Sequence, residues 1–322
     1  MTRVGVVLPT RGLLISGQTS DLGQLLELAV RAEQMGVDGA WVGDSLTAKP
    51  RLEPLSVLSA VAARTRTIGL GTSVLLAPLR HPVLLAQTTA TLNLLSGGRL
   101  TLGMGVGGAF NEAQQGEWRA AGVDPRQRGS RLAEIAQLLP QLWSGSPVSF
   151  MGRHFCLEDV SIGYEAGDGV QVPQPRILLA CHSGEGRERQ YERAARFADG
   201  LISITDSPEE FAKVRSQVLD KRSQVNRPAG GFHSTFYMTV NLNPDEAAAA
   251  NESDAWVRAY YGVNFWGDRW GPFGDPQRVL ERARGYVEAG ADEIVFRFAA
   301  KDQRAQLELF GEWVLPALKS DR

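Results

Sequence analysis

Residues 94–112 read Leu-Leu-Ser-Gly-Gly-Arg-Leu-Thr-Leu-Gly-Met-Gly-Val-Gly-Gly-Ala-Phe-Asn-Glu. Four pieces of local structure follow one another in this stretch. Leu92, Leu94 and Leu95 close an apolar helical face, and Ser96-Gly97-Gly98 supplies the left-handed backbone that ends a helix at little cost. Leu100, Leu102 and Met104 then alternate with smaller residues as a strand does. After the strand come Gly105, Gly107 and Gly108, followed by the polar pair Asn111 and Glu112. Small residues just past the C-terminal end of a strand are where α/β barrels build their sites. Glycines that merely relieve crowding between strand and helix would read the same way.

Working outward, the same grammar recurs. Met35-Gly36-Val37-Asp38 leads into Ala40-Trp41-Val42, Phe197-Ala198-Asp199-Gly200 into Leu201-Ile202, and Ala289-Gly290-Ala291-Asp292 into Ile294-Val295-Phe296. Each joins a helix end to an apolar strand through a short turn with Asp at the junction, which argues for a wound βα repeat. Strands are expected at 3–8, 37–42, 67–75, 99–106, 176–180, 200–204, 233–242 and 293–297. Helices are expected at 54–64, 82–95, 130–143, 185–197, 208–225, 276–289 and 303–318, and one more is capped by Asp21 with Gln24 three residues on. Residues 144–175 carry no sustained period and read as an excursion of loop or short strands. About eight βα units in 322 residues fit one (β/α)8 TIM barrel with insertions, a single domain over 1–322. A doubly wound open sheet is the alternative, but it needs a fingerprint turn after the first strand, and Leu8-Pro9-Thr10-Arg11 is not one.

Composition narrows the function. With 43% hydrophobic residues the chain can bury a large core, and a formal net charge of -2 without a basic run speaks against nucleic acid. The longest mainly apolar stretch, 68–79, lies between Arg66 and Arg80 and falls well short of the ~20 residues that span a bilayer. The two cysteines, Cys156 and Cys181, have neither metal nor disulfide spacing. A soluble protein of a reducing, cytoplasmic compartment is expected, with no membrane partner.

In a barrel the residues after each strand converge on one mouth. That gathers Pro9, Asp44, Ser45, Ser73, Gly107, Asn111, Cys181, His182, Ser183, Asn241 and Arg297. Ala180-Cys181-His182-Ser183-Gly184-Glu185-Gly186 lies between a strand and an arginine-rich helix. Its Ser-Gly-x-Gly exceeds what a helix cap needs, which favours phosphate on the backbone N–H groups. Gly69 and Gly71 inside a strand mark either a bulge or close packing. Trp256, Tyr260, Tyr261, Phe265, Trp266, Trp270 and Phe273 crowd one insertion, as a lid, an apolar substrate wall or a dimer contact. His81, His154, His182 and His233 do not pair at metal spacing, and no Gly-x-Ser-x-Gly appears, so a hydrolase has little support. His182 and His233 remain lone candidates.

Taken together, Gly71-Thr72-Ser73-Val74-Leu75, Arg80-His81-Pro82, Ala90-Thr91-Leu92, Ser96-Gly97-Gly98-Arg99 and Gly103-Met104-Gly105-Val106-Gly107 resemble the bacterial luciferase-like oxidoreductases. So do Ala121-Gly122-Val123-Asp124, Arg128, Leu142-Trp143, Ser183-Gly184 and Ala198-Asp199-Gly200, all in collinear order. The resemblance implies a TIM barrel holding reduced FMN or the deazaflavin F420 at its mouth, commonly as a homodimer. It implies a non-proline cis peptide at Ser73-Val74 behind the ring. It places the phosphate loop on Ser183, Gly184, Glu185 and Gly186 beside His182, and puts Gly107 and Asn111 near ring or ribityl chain. Asp44, Ser45 and His233 are then the candidates for catalysis. Two departures stand out: Ser45 follows Asp44 where the family usually has histidine, and Gly108 stands where the sugar-phosphate-oxidising deazaflavin branch has glutamate. The leading expectation is a monooxygenase that takes reduced FMN from a separate reductase, excludes water and positions a small organic substrate. F420-dependent hydride transfer is the alternative, and a non-catalytic flavin-binding subunit a third reading.

Overall fold

Eight parallel strands close on themselves in the computed structural model, which describes residues 2–15, 17, 22–163, 173–264 and 267–320. They are β1 Arg3–Val7, β2 Gly39–Val42, β3 Gly69–Leu75, β4 Leu100–Met104, β5 Arg176–Ala180, β6 Gly200–Ile204, β7 His233–Leu242 and β8 Glu293–Phe298. Each pairs with the next in sequence, and β1 pairs with β8 to complete the ring. The fold is a (β/α)8 TIM barrel; an open doubly wound sheet would leave two unpaired edges, and this sheet has none. Phe273–Gly274 adds a short parallel pairing beside β7.

The recurring Asp explains how the units join. Asp38 Oδ2 accepts the N–H of Val4 at 2.7 Å, Asp199 Oδ2 that of Ile177 at 3.0 Å, and Asp292 Oδ2 that of Ser234 at 2.7 Å. In all three units the carboxylate satisfies a free N–H at the start of the preceding barrel strand, a group that closure of the sheet leaves without a backbone partner. Arg99 performs a related task. Its guanidinium reaches Ala62 O in the last turn of the helix Pro54–Arg64, Thr65 O just past that helix and Ile68 O just before β3, so it ties the helix end to the strand. Gly97 and Gly98 (φ +68° and +84°) turn the chain so that this arginine arrives there.

The barrel interior is organised around Trp41, which is 2% exposed. A Cβ on Gly5, Gly39 or Gly71 would lie 2.6, 2.7 or 2.2 Å from its indole, so three neighbouring strands surrender side chains to admit one large ring. Burying an indole is worth roughly 4–6 kcal/mol at ~25 cal/mol per Å². Close packing therefore accounts for Gly71. Beneath Trp41, at the N-terminal end of the strands, its Nε1 donates to Glu293 Oε1 at 3.1 Å, and His233 Nε2 lies 3.2 Å from Glu293 Oε2. His233 was a catalytic candidate, and the fold corrects this. It is the first residue of β7, so strand direction puts it at the opposite end from the mouth.

Outside the barrel, prolines start the helices Pro54–Arg64, Pro82–Leu95, Pro208–Gln224 and Pro276–Glu288, where the missing N–H costs nothing. The first long helix is Gly23–Gln34, and its expected cap, Asp21, lies outside the described residues. The helix expected from 185 begins at Glu188, because Gly184 and Gly186 (φ +123° and +70°) form a turn first. Periodicity did not announce Glu112–Ala120 or Glu246–Tyr261. The excursion holds an antiparallel hairpin, Val148–Met151 with Cys156–Val160. Among the described residues no helix is long and apolar enough to cross a membrane.

Candidate active site

The mouth is built on a shelf at the end of β3. The register with β4 shifts between Thr72 and Leu75, and the Ser73–Val74 peptide is cis. The glycines of the opening stretch make room for it. A Cβ on Gly103 would sit 2.1 Å from Thr72 O, and one on Gly105 2.6 Å from Val74 Cγ2. Only bare backbone lets β4 lie this close to the bulge. Gly107 (φ +72°) then turns past Trp118, whose Nε1 donates to Gly108 O at 2.7 Å. The hydroxyl of Ser73 is buried with no protein partner.

Beside the shelf is a cavity of about 170 Å³, whose lining includes Asp44, Ser45, Lys49, Ser73, Val74 and Arg297. Both acids of its wall are already committed. Asp44 takes Arg80 in a two-pronged pair (2.5 and 3.2 Å) and the N–H of Leu76 at 2.9 Å, which ties the end of β2 to the residue after the shelf. Glu117 Oε1 accepts the hydroxyl of Ser45 at 2.7 Å and the N–H groups of Thr47 and Ala48 at 2.9 and 3.2 Å. Ser45 in turn accepts the N–H of Lys49 at 2.9 Å. Ser45 thus stitches the loop, and its proton is engaged.

The cations of the wall have no carboxylate within ion-pair distance among the described residues. Arg297, 3% exposed at the end of β8, bonds Tyr261 Oη and Thr239 Oγ1 while its Nε has no partner. Five aromatic rings lie 4.9–5.2 Å from its guanidinium, those of Tyr237, Trp256, Tyr260, Tyr261 and Trp270. Four rings of the aromatic insertion therefore surround an arginine, and Trp256 also lines a separate apolar pocket with Leu13, Ile15 and Ala259; Phe265 and Trp266 lie outside the described residues. Lys49 Nζ sits 4.5 Å over Tyr261, and Arg51 donates to Tyr260 Oη at 3.1 Å. Burial, reinforced by Arg51, Arg11 and Arg297, pushes the Lys49 amine down to about 8. Burial alone would raise the Tyr260 hydroxyl, but Arg51, Arg297 and Arg11 outweigh it and hold it below its ordinary value.

The expected phosphate loop lies across the mouth, with an addition that sequence reading missed. Asp206, 3% exposed after β6, accepts the N–H of Ser183 at 3.1 Å, the Ser183 hydroxyl at 3.2 Å and the Ser203 hydroxyl at 2.6 Å. Its position just past a strand end is the signal that could have revealed it. His182 lies alongside, its Nδ1 buried without a partner. Burial is the leading effect on its ring and, with Arg187, outweighs Asp206 to favour the neutral imidazole. Other expected site residues are elsewhere or occupied. Asn111 is exposed and its side chain caps the helix Glu112–Ala120 through Gln114 N at 3.0 Å, so it does not line the cavity. Glu185 points to solvent. Cys181 is a core residue whose thiol burial pushes up to about 12, and Asn241 is bonded to Glu252, Ala299 and Gln306.

A TIM barrel with a bulged cis-peptide shelf at its mouth, glycines clearing the space behind it and a Ser-Gly loop two strands away defines a class of flavin- or deazaflavin-dependent oxidoreductases. The chain belongs to the luciferase-like monooxygenase family, whose model matches residues 2–306. It is similar to the F420-dependent glucose-6-phosphate dehydrogenases of Mycobacterium tuberculosis (strain ATCC 25618 / H37Rv), 31% identical over 92% of this chain and 94% of that one, and of Beutenbergia cavernae, 32% identical over 92% and 93%. Among solved structures it superposes on an F420-dependent secondary alcohol dehydrogenase in complex with an F420-acetone adduct (TM-score 0.78, 18% identity, 98% of this chain and 99% of that one). It superposes equally on the monooxygenase RslO1 from Streptomyces bottropensis (TM-score 0.79, 22% identity, 98% and 99%). At such identities these two likenesses speak for the fold.

Proposed function

We propose that this chain binds the deazaflavin F420 against the Ser73–Val74 shelf and serves hydride transfer between it and a small polar substrate. The observation that carries this reading is the cavity beside the shelf, whose wall carries Lys49, Arg51 and Arg297. An oxygenating flavin site works by excluding water, whereas the cavity beside this shelf is lined by three cations. The similar dehydrogenases named above, matched over 92% of the chain, support the same choice. FMN with a partner reductase thus yields to the deazaflavin.

The residues present fit such a group. Ser73 Oγ and His182 Nδ1 are buried polar atoms that still need partners, and a ring with carbonyl and N–H edges offers them. The Asp206 carboxylate on the Ser183 loop disfavours a doubly charged phosphate monoester, as in FMN, more than a singly charged phosphodiester, as in F420. When bound, the deazaflavin supplies the hydride donor or acceptor. The chain's part is to back the ring with Val74, hold its phosphate on the N–H groups of the loop from Gly184 to Gly186, since both Ser183 donors are spent on Asp206, and orient the substrate from the Lys49 side.

The substrate is not carried over from those relatives. Where the sugar-phosphate branch has glutamate this chain has Gly108, and the room beside it is filled, since a Cβ there would lie 2.5 Å from Gln114 Nε2. The test is titration with F420 and with FMN, followed by a panel of alcohols and carbonyl compounds with F420 absorbance as readout. F420 should bind at least about tenfold tighter than FMN and be reduced by a member of the panel. Tighter FMN binding, with oxygen consumed in step with substrate, would overturn the proposal.

A further inference from the structure

We propose that Lys49, Arg51 and Arg297 form a subsite for an oxyanion of the substrate, a carboxylate or phosphate group; its assignment to substrate rests on the deazaflavin reading above. Charge balance leads there first. With Arg11, which bonds Tyr260 O and Pro50 O, four cations surround the Tyr260–Tyr261 pair, and none has a carboxylate within ion-pair distance among the described residues. Asp44 is neutralised by Arg80, which leaves Glu117, bonded to a hydroxyl and two backbone N–H groups, as the carboxylate of the cavity wall that offsets these cations. One buried and three half-buried cations thus outnumber their counter-charge, and desolvating cations in such excess is costly. Here an anionic ligand supplies the balance.

Geometry agrees. Arg297 is almost fully buried, fixed by Thr239 at 2.8 Å, and retains a buried Nε with nothing to donate to. Lys49 and Arg51 line the same cavity from the loop after β2, and Ser73 and Val74 close its other side. An oxyanion held by these three places the remainder of a small molecule against the shelf, where the ring lies on the reading above. Guanidinium groups suit carboxylate and phosphate through paired N–H donors. The depressed Tyr260 hydroxyl is a local gauge of the same positive potential.

The experiment uses inorganic phosphate and F420 as probes on the full chain, by titration calorimetry, with Arg51→Gln and Lys49→Gln as separate variants checked for fold by circular dichroism. Wild type should bind phosphate with and without saturating F420. Each variant should weaken phosphate by about tenfold or more and leave F420 affinity within about twofold. Absence of phosphate binding at millimolar concentration, or variants that bind it as wild type does, would overturn the subsite. Phosphate displaced by F420, with F420 and phosphate weakened in parallel, would assign these cations to the cofactor and overturn the substrate claim. Wild type that takes phosphate but no F420, and loses phosphate in both variants, would uphold the anion subsite while the cofactor reading alone fell.

Discussion

Replacing Arg80 by Met isolates the link between the β2 loop and the shelf. Asp44 has a side chain 2% exposed, with Arg80 at 2.5 and 3.2 Å and Leu76 N at 2.9 Å. Methionine keeps most of the stem's packing but removes the guanidinium, leaving a buried carboxylate with one N–H. Breaking a fully buried pair costs about 3–5 kcal/mol. The Arg80 side chain is 23% exposed and also meets exposed Glu53 at 3.3 Å, so solvent screening lowers the expected loss to roughly 2–4 kcal/mol. The cycle is completed by Asp44→Asn, which keeps an acceptor for Leu76 without the charge, and by the double variant. Urea unfolding should show the double variant more stable than Arg80→Met alone, with F420 affinity following the same order because Leu76 follows the shelf. A loss below about 1 kcal/mol, or purely additive effects in the double variant, would refute the view that Arg80 exists to neutralise a buried Asp44.

Two further predictions follow from the interior and from the cation cluster. Gly71→Ala puts a methyl 2.2 Å from the Trp41 ring and should cost about 1–3 kcal/mol by overpacking; a thermal melt unchanged from wild type would contradict the account of the core. Lys49 titrates near about 8 instead of its ordinary 10.5, and it faces Arg11, Arg51, Arg297, Glu117 and Tyr261. The unfolded chain holds its proton over that window while the folded one releases it. Its contribution therefore makes the protein more stable as pH rises from about 8 to 10.5. Phosphate affinity should fall over the same window because the site loses a positive charge, and Lys49→Gln should flatten that fall in calorimetric titrations.

The eight strands, most of the helices, the barrel and the family are readable in the chain, because they rest on local signals, whereas the helices Glu112–Ala120 and Glu246–Tyr261 are not. Glycine after a helix, proline at its start and an apolar run of strand length each act within a few residues. Even the repeated Asp was visible as punctuation before its bond to the preceding strand was known. The glycines of residues 103–108 could be seen to need clearance, and the shelf they clear was expected at Ser73–Val74. Closure of the sheet decided the rest. Two residues alike in sequence, His182 and His233, end at opposite faces because one follows a strand and the other begins one. Whether Asp44 and Ser45 are free or engaged depends on Arg80 and Glu117, 36 and 72 residues away. That rings of the aromatic insertion surround a cation is not legible along the chain, because Arg297 lies in another unit, 36 residues beyond Tyr261. Burial, charge balance and hydrogen bonding are sums over neighbours in space, and the order of residues along a chain does not contain that sum until the barrel has closed.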